Sequence, residues 1–164
     1  MKWVGGEQHL FWFATDSDSA LARLRRAGRA VREANPDGKP LLTQDAYLAV
    51  EAGVPVVPGF EMGPFSIFPD LSGDEARARR VHDVETALET IRTCDADVAA
   101  VSGFTFALAC PSTDPLPEAD RERLLSAVRE RFGGTVFEEP RFGQHSTPLE
   151  IRVRSFLFRG KAVD

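Results

Sequence analysis

Residues 40–57 read PLLTQDAYLAVEAGVPVV, a short strand, a short helix and a second extended piece in immediate succession. Residues 40–44 bring Leu41 and Leu42 in as a buried strand, and Asp45 stands where a helix cap belongs. The helix spans 46–52 and stops at Gly53, the residue best suited to a left-handed C-terminal position. Pro55 offers no N–H to a ladder, so a strand over 54–57 belongs at a sheet edge. A second apolar run, VAAVS at 98–102, reads as another buried strand, with 104–109 as a candidate continuation.

Helices fill the spaces around these strands. Polar residues at 16–19 offer N-caps for a helix ending near Ala34. In it Leu21, Leu24, Ala27, Gly28 and Val31 share one stripe, while Arg23, Arg25, Arg26, Arg29 and Arg32 turn to solvent. Asn35-Pro36-Asp37-Gly38 is strong turn chemistry. Ser72-Gly73-Asp74-Glu75 opens a second long helix, with Val81, Val84, Leu88 and Ile91 on one face and His82, Asp83 and Glu85 turned elsewhere. A third helix covers 118–132, with Leu124, Leu125, Val128 and Phe132 inward.

The C-terminal part reads as two strands, 135–138 and 148–158, joined by a polar connection. Leu149, Ile151 and Val153 alternate with Glu150, Arg152 and Arg154, so the last strand buries one side only. Helices alternating with buried strands predict an α/β fold: a three-layer Rossmann-like sandwich with a short, mostly parallel sheet and a C-terminal antiparallel hairpin. Residues 1–15 form an aromatic N-terminal arm, and residues 16–160 form one domain.

Composition narrows the function classes. The chain has 164 residues, a net charge of −5 and 43% hydrophobic residues, which suits one globular domain. Its acidic balance argues against nucleic acid as a partner. No run of about 20 apolar residues is present to cross a bilayer, and the N-terminal residues do not fit a secretory signal. Trp3, Phe11, Trp12 and Phe13 nevertheless cluster ahead of the first helix. Such a cluster suits a membrane–water interface or an arm tucked into the core. Cys94 and Cys110 match no metal or redox spacing and permit, without requiring, one bridge.

Motifs for cofactor chemistry are missing. No G-x-G-x-x-G follows the first strand, and Gly38-Lys39 runs into Pro40 instead of a hydroxyl residue, so neither a dinucleotide nor a triphosphate site is expected. No G-x-S-x-G elbow occurs. His9, His82 and His145 are scattered, and His82 reads as a surface residue on its helix. No cofactor or metal is therefore expected. The acids of the central stretch carry more interest. Asp45 and Glu51 flank the short helix at the C-terminal end of the first strand, where open α/β sheets bind ligands, although a plain cap is the commoner role for a residue placed like Asp45. Glu61 sits among Phe60, Met62, Gly63, Pro64 and Phe65, where a carboxylate either anchors the loop or meets a ligand. Phe60, Phe65 and Phe68 either plug the core or face a partner. The candidate contact residues are Asp45, Glu51, Phe60, Glu61 and Phe65, with no catalytic residue among them.

The amphipathic helix, PDGKPLLTQDAYLAVEAG and PVVPGFEMGPFSIFP together resemble the soluble C-terminal region of polytopic bacterial glycosyltransferases of the dolichyl-phosphate-mannose mannosyltransferase-like class. The resemblance covers residues 20–102 and extends to the rest by architecture. It implies an extracytoplasmic, membrane-associated domain that braces or covers a membrane-embedded site using lipid-linked sugar donors. The implied partner is the transmembrane portion of such an enzyme. The family's catalytic acids belong to a loop between transmembrane helices, so none is carried over and the chain is not expected to be catalytic alone. Two other readings fit the same residues: a small ligand-binding protein or enzyme with its pocket at the strand ends, and a protein-interaction module. Without the resemblance the expected location is cytoplasmic.

Overall fold

The structure, a computed structural model, describes residues 18–107, 115–143 and 146–154. The N-terminal aromatic cluster, His9, Cys110, His145 and the strand expected beyond residue 154 lie outside the described residues. Helix α1 (Ala20–Ala34) starts at Ser19, whose hydroxyl accepts the Ala22 N–H, and buries Ala27, Gly28 and Val31. Asn35 closes it. The Asn35 amide both donates to and accepts from the Lys39 backbone, which turns the chain into β1 (Leu41–Leu42).

Past β1, α2 (Ala46–Ala52) ends at Gly53, whose φ of 71° suits the left-handed position glycine tolerates. The expected edge strand at 54–57 shrinks to one bridge: Leu41 donates to the Pro55 carbonyl and accepts from Val57. A 3₁₀ turn (Gly63–Ser66) and the short α3 (Gly73–Ala78) follow. Then come α4 (Val84–Thr93), β2 (Val98–Ser102), α5 (Glu118–Arg131), β3 (Gly134–Phe142) and β4 (Thr147–Val153).

The expected second long helix is two helices. Arg80, with φ of 57°, breaks it, and Asp83 starts α4 afresh. There the Asp83 carboxylate accepts the Thr86 N–H, and the Thr86 hydroxyl accepts the Asp83 N–H. His82 therefore lies in the break and not on a helix face.

Among the described residues the sheet is four-stranded and mixed, in the order β1-β2-β4-β3. Only β1 and β2 pair parallel, through Leu41 with Val98 and Leu42 with Ala99. Strand β4 runs antiparallel to both β2 and β3. Three strands thus point one way, as a parallel reading requires, but the terminal hairpin does not merely close an edge. Helix α5 carries the chain from β2 past a gap one strand wide, and β4 fills that gap. Antiparallel pairing consequently dominates a sheet expected to be mostly parallel.

Alternation along the strands feeds two apolar clusters. Leu41, Val98, Ala100, Leu149 and Ile151 pack with Val31 of α1 and Leu48 of α2. Leu42 and Ala99 pack with Leu88 and Ile91 of α4, Leu124 and Val128 of α5, and Phe60. Glu150 and Arg152 share that second face with Val101 and Ala99, which they oppose in register. They remain half-buried there, and Arg152 donates to the Phe132 carbonyl at the end of α5.

Candidate functional site

Two features meet at the C-terminal ends of β1 and β2. The first is Asp45. It occupies the cap position of α2, but its side chain makes no capping bond. Its backbone N–H is held by the Thr43 hydroxyl at 3.0 Å, which turns the carboxylate sideways. Oδ1 accepts from the Tyr47 hydroxyl at 3.1 Å, and buried Oδ2 has no hydrogen-bond partner. Burial pushes the Asp45 carboxyl upward, and the Ser102 and Tyr47 hydroxyls oppose that without cancelling it. Burial and the adjacent carboxylate likewise raise the Tyr47 phenol.

The surroundings are polar and ordered. Buried Ser102 donates its N–H to the Thr105 hydroxyl at 2.9 Å, and Gln44 accepts the Phe106 N–H at 2.7 Å. Tyr47 stacks on Phe142 with centroids 5.6 Å apart. The cluster offers hydrogen-bond donors and acceptors around a carboxyl biased toward its neutral form.

The second feature is the loop after β1. Phe60 is 1% exposed and packs its ring tilted against His82, so it anchors the loop in the core. Ser66 and Ile67 are buried with it. Phe65, at 45% exposed, and Met62, at 59%, point outward. Glu61 is exposed, and its carboxylate accepts the Gly59 N–H at 2.6 Å, an anchoring role. Gly63 seats this loop on the strand end: a Cβ there would lie 2.8 Å from the Gln44 carbonyl oxygen. Exposed Met62 and Phe65 thus adjoin α2, which presents Tyr47 and Val50 one turn apart.

Glu51 does not join either feature. It sits at the far end of α2 against Gly28 of α1, where a Cβ on Gly28 would be 2.6 Å from the Glu51 Cγ. Its carbonyl accepts from the Arg32 guanidinium.

His82 is the residue that the sequence reading misplaced. It is 8% exposed, and burial depresses its pKa against the opposing pull of the Pro58 carbonyl, Asp83 and Glu61. The signal that could have found it is Asp83-x-x-Thr86, a helix start inside an apparently continuous helix. Beside it runs a groove of about 430 Å³ between the 58–61 turn and the junction of α3 with α4. Among the described residues no group of His, Cys, Asp and Glu is placed to hold a metal ion.

No protein-family model, curated protein or solved structure matches the chain. Among the described residues no helix is long and apolar enough to cross a membrane.

Proposed function

We propose that the chain is a non-catalytic, extracytoplasmic domain of a membrane glycosyltransferase-like protein. It braces or covers a membrane-embedded site that uses lipid-linked sugar. The likeness of residues 20–102 to that class motivates the reading, and the outward set of Met62 and Phe65 carries it. Their neighbours Phe60 and Ile67 anchor the loop in the core, so the exposed pair is held in place, as a contact surface needs to be. Clusters on both sheet faces support describing the fold as a three-layer, Rossmann-like sandwich.

Flotation with phospholipid vesicles tests this. The chain is expected to float with them, and Met62→Ser with Phe65→Ser is expected to abolish that. Absence of vesicle binding, or efficient sugar transfer from a polyprenyl-phosphate donor by the isolated chain, would contradict the proposal.

One observation favours a second reading. Asp45 Oδ2 has no close hydrogen-bond partner at the strand ends, where α/β sheets place ligands, although the Ser102 hydroxyl favours the carboxylate. A small-molecule screen that finds a saturable rise in melting temperature, lost in Asp45→Asn, would select that reading.

A further inference from the structure

The turn at 58–61 closes over His82. Gly59, at φ of 89°, lies flat on the ring: a Cβ there would sit 2.1 Å from Nε2. Phe60 packs against the ring in a tilted arrangement, with centroids 4.7 Å apart. Glu61 clasps the turn through the Gly59 N–H at 2.6 Å. The histidine backbone ties down the other end of the segment. His82 donates to the Ser66 carbonyl at 2.8 Å and accepts from Phe68 at 2.9 Å.

Within this closure, Nε2 has no hydrogen-bond partner, and neither has the fully buried Ser66 hydroxyl. A neutral ring tolerates an unused acceptor. A protonated ring would bury a charge and place on Nε2 an N–H that has no hydrogen-bond partner in the closed turn.

We propose that His82 is a pH-sensitive latch on residues 58–68, whose protonation opens the turn and frees the segment bearing Met62 and Phe65. As a control of membrane contact it rests on the reading above; as a latch it stands on the geometry of the turn.

The charged groups around the ring come from three elements. Glu61 belongs to the turn, and Asp83 follows His82 in the chain. Arg77 of α3, Arg80 after it and Glu89 of α4 line the adjoining groove. The Pro58 carbonyl, Asp83 and Glu61 favour the imidazolium, yet neither carboxylate hydrogen-bonds to Nε2, and Asp83 is engaged with Thr86. Burial outweighs them and holds the ring below its ordinary 6.5. The closed form is therefore favoured above that value and loses ground as pH falls below it. Each pH unit down to the closed-state value multiplies the open-to-closed ratio by about ten.

Amide hydrogen exchange of the whole chain from about pH 7.5 to about pH 5, corrected for intrinsic rates, reads this ratio. Exchange at Gly59, Phe60 and Phe68 is expected to accelerate by up to about tenfold per unit below pH 6.5, while the β2 amides hold. In His82→Phe, which keeps a ring against Phe60, the profile is expected to be flat. A flat wild-type profile, or the same acceleration in His82→Phe, overturns the latch. Should His82→Phe not fold, titration of the wild-type imidazole nitrogens decides. A midpoint below 6.5 that tracks the exchange supports the latch, and one at or above 6.5 overturns it. Vesicle flotation over the same range separates the two ideas. pH-dependent exchange without lipid binding at any pH sinks the membrane reading and leaves the latch standing.

Discussion

A carboxylate with one oxygen buried and unpartnered is an unusual tenant for a helix cap, and Asp45 has a calculable consequence for stability. Its folded pKa is raised above the unfolded 3.8, chiefly by burial. Its contribution is therefore fully present below 3.8 and is lost as pH rises through the folded value. Asp45→Asn keeps an acceptor for Tyr47 and offers an amide donor to Ser102. The variant should be more stable than wild type at neutral pH and should lack that decline, as urea midpoints at acid and neutral pH will show. A less stable variant at neutral pH would mean that the carboxylate is held by a bond the geometry does not reveal. Glycines give a paired test. A Cβ on Gly53, at φ of 71°, meets nothing within 4 Å, so Gly53→Ala should cost about 1 kcal/mol of backbone strain alone. Gly59→Ala adds a collision with the His82 ring and should cost clearly more by the same denaturation measurement.

Helix α4 depends on its own start. Asp83 and Thr86 exchange two hydrogen bonds there, at 2.7 and 3.0 Å. Asp83→Ala should lower stability by about 1 kcal/mol, measured by chemical denaturation. This element also shows what was readable beforehand. The bounds of α1 and α2 follow from local signals: Ser19 and Asn35 for one, Gly53 for the other. The division of α3 from α4 hid behind Val81, Val84, Leu88 and Ile91, whose spacing continues across the break because Val81 is buried from a non-helical turn. Within the loop, Phe60 and Phe65 are equivalent as sequence, and only packing against His82 and Phe106 sets them apart. Candidate residues were thus legible as a neighbourhood, while their separation into anchor, clasp and outward face depended on tertiary contacts.

Across the molecule, distant segments meet through a few partly buried ions. Glu139 of β3, at 5% exposed, accepts from Arg26 of α1 at 2.8 Å. Arg26→Ala leaves that carboxylate short of its partner and should cost about 1–3 kcal/mol. Arg23→Ala, which disturbs a contact with the half-exposed Asp18, should cost less than about 1 kcal/mol. Thermal or urea unfolding of the two variants side by side checks the difference. Sheet order was the large-scale feature least accessible to sequence. The alternation of Leu149, Ile151 and Val153 with Glu150 and Arg152 suits any strand with one well-covered side, whether marginal or central. Nothing local told β4 to enter between β2 and β3.

That insertion has a bearing on biosynthesis. Strand β4 is inner in the sheet yet follows β2 and β3 in the chain, so a nascent chain that has already emitted β2, α5 and β3 still lacks the ladder that joins them. Strands β2 and β3 each keep an unmet edge until residue 153 clears the exit tunnel. Closure of the sheet therefore waits on β4, and chaperone capture is expected to concentrate on chains stalled just short of it.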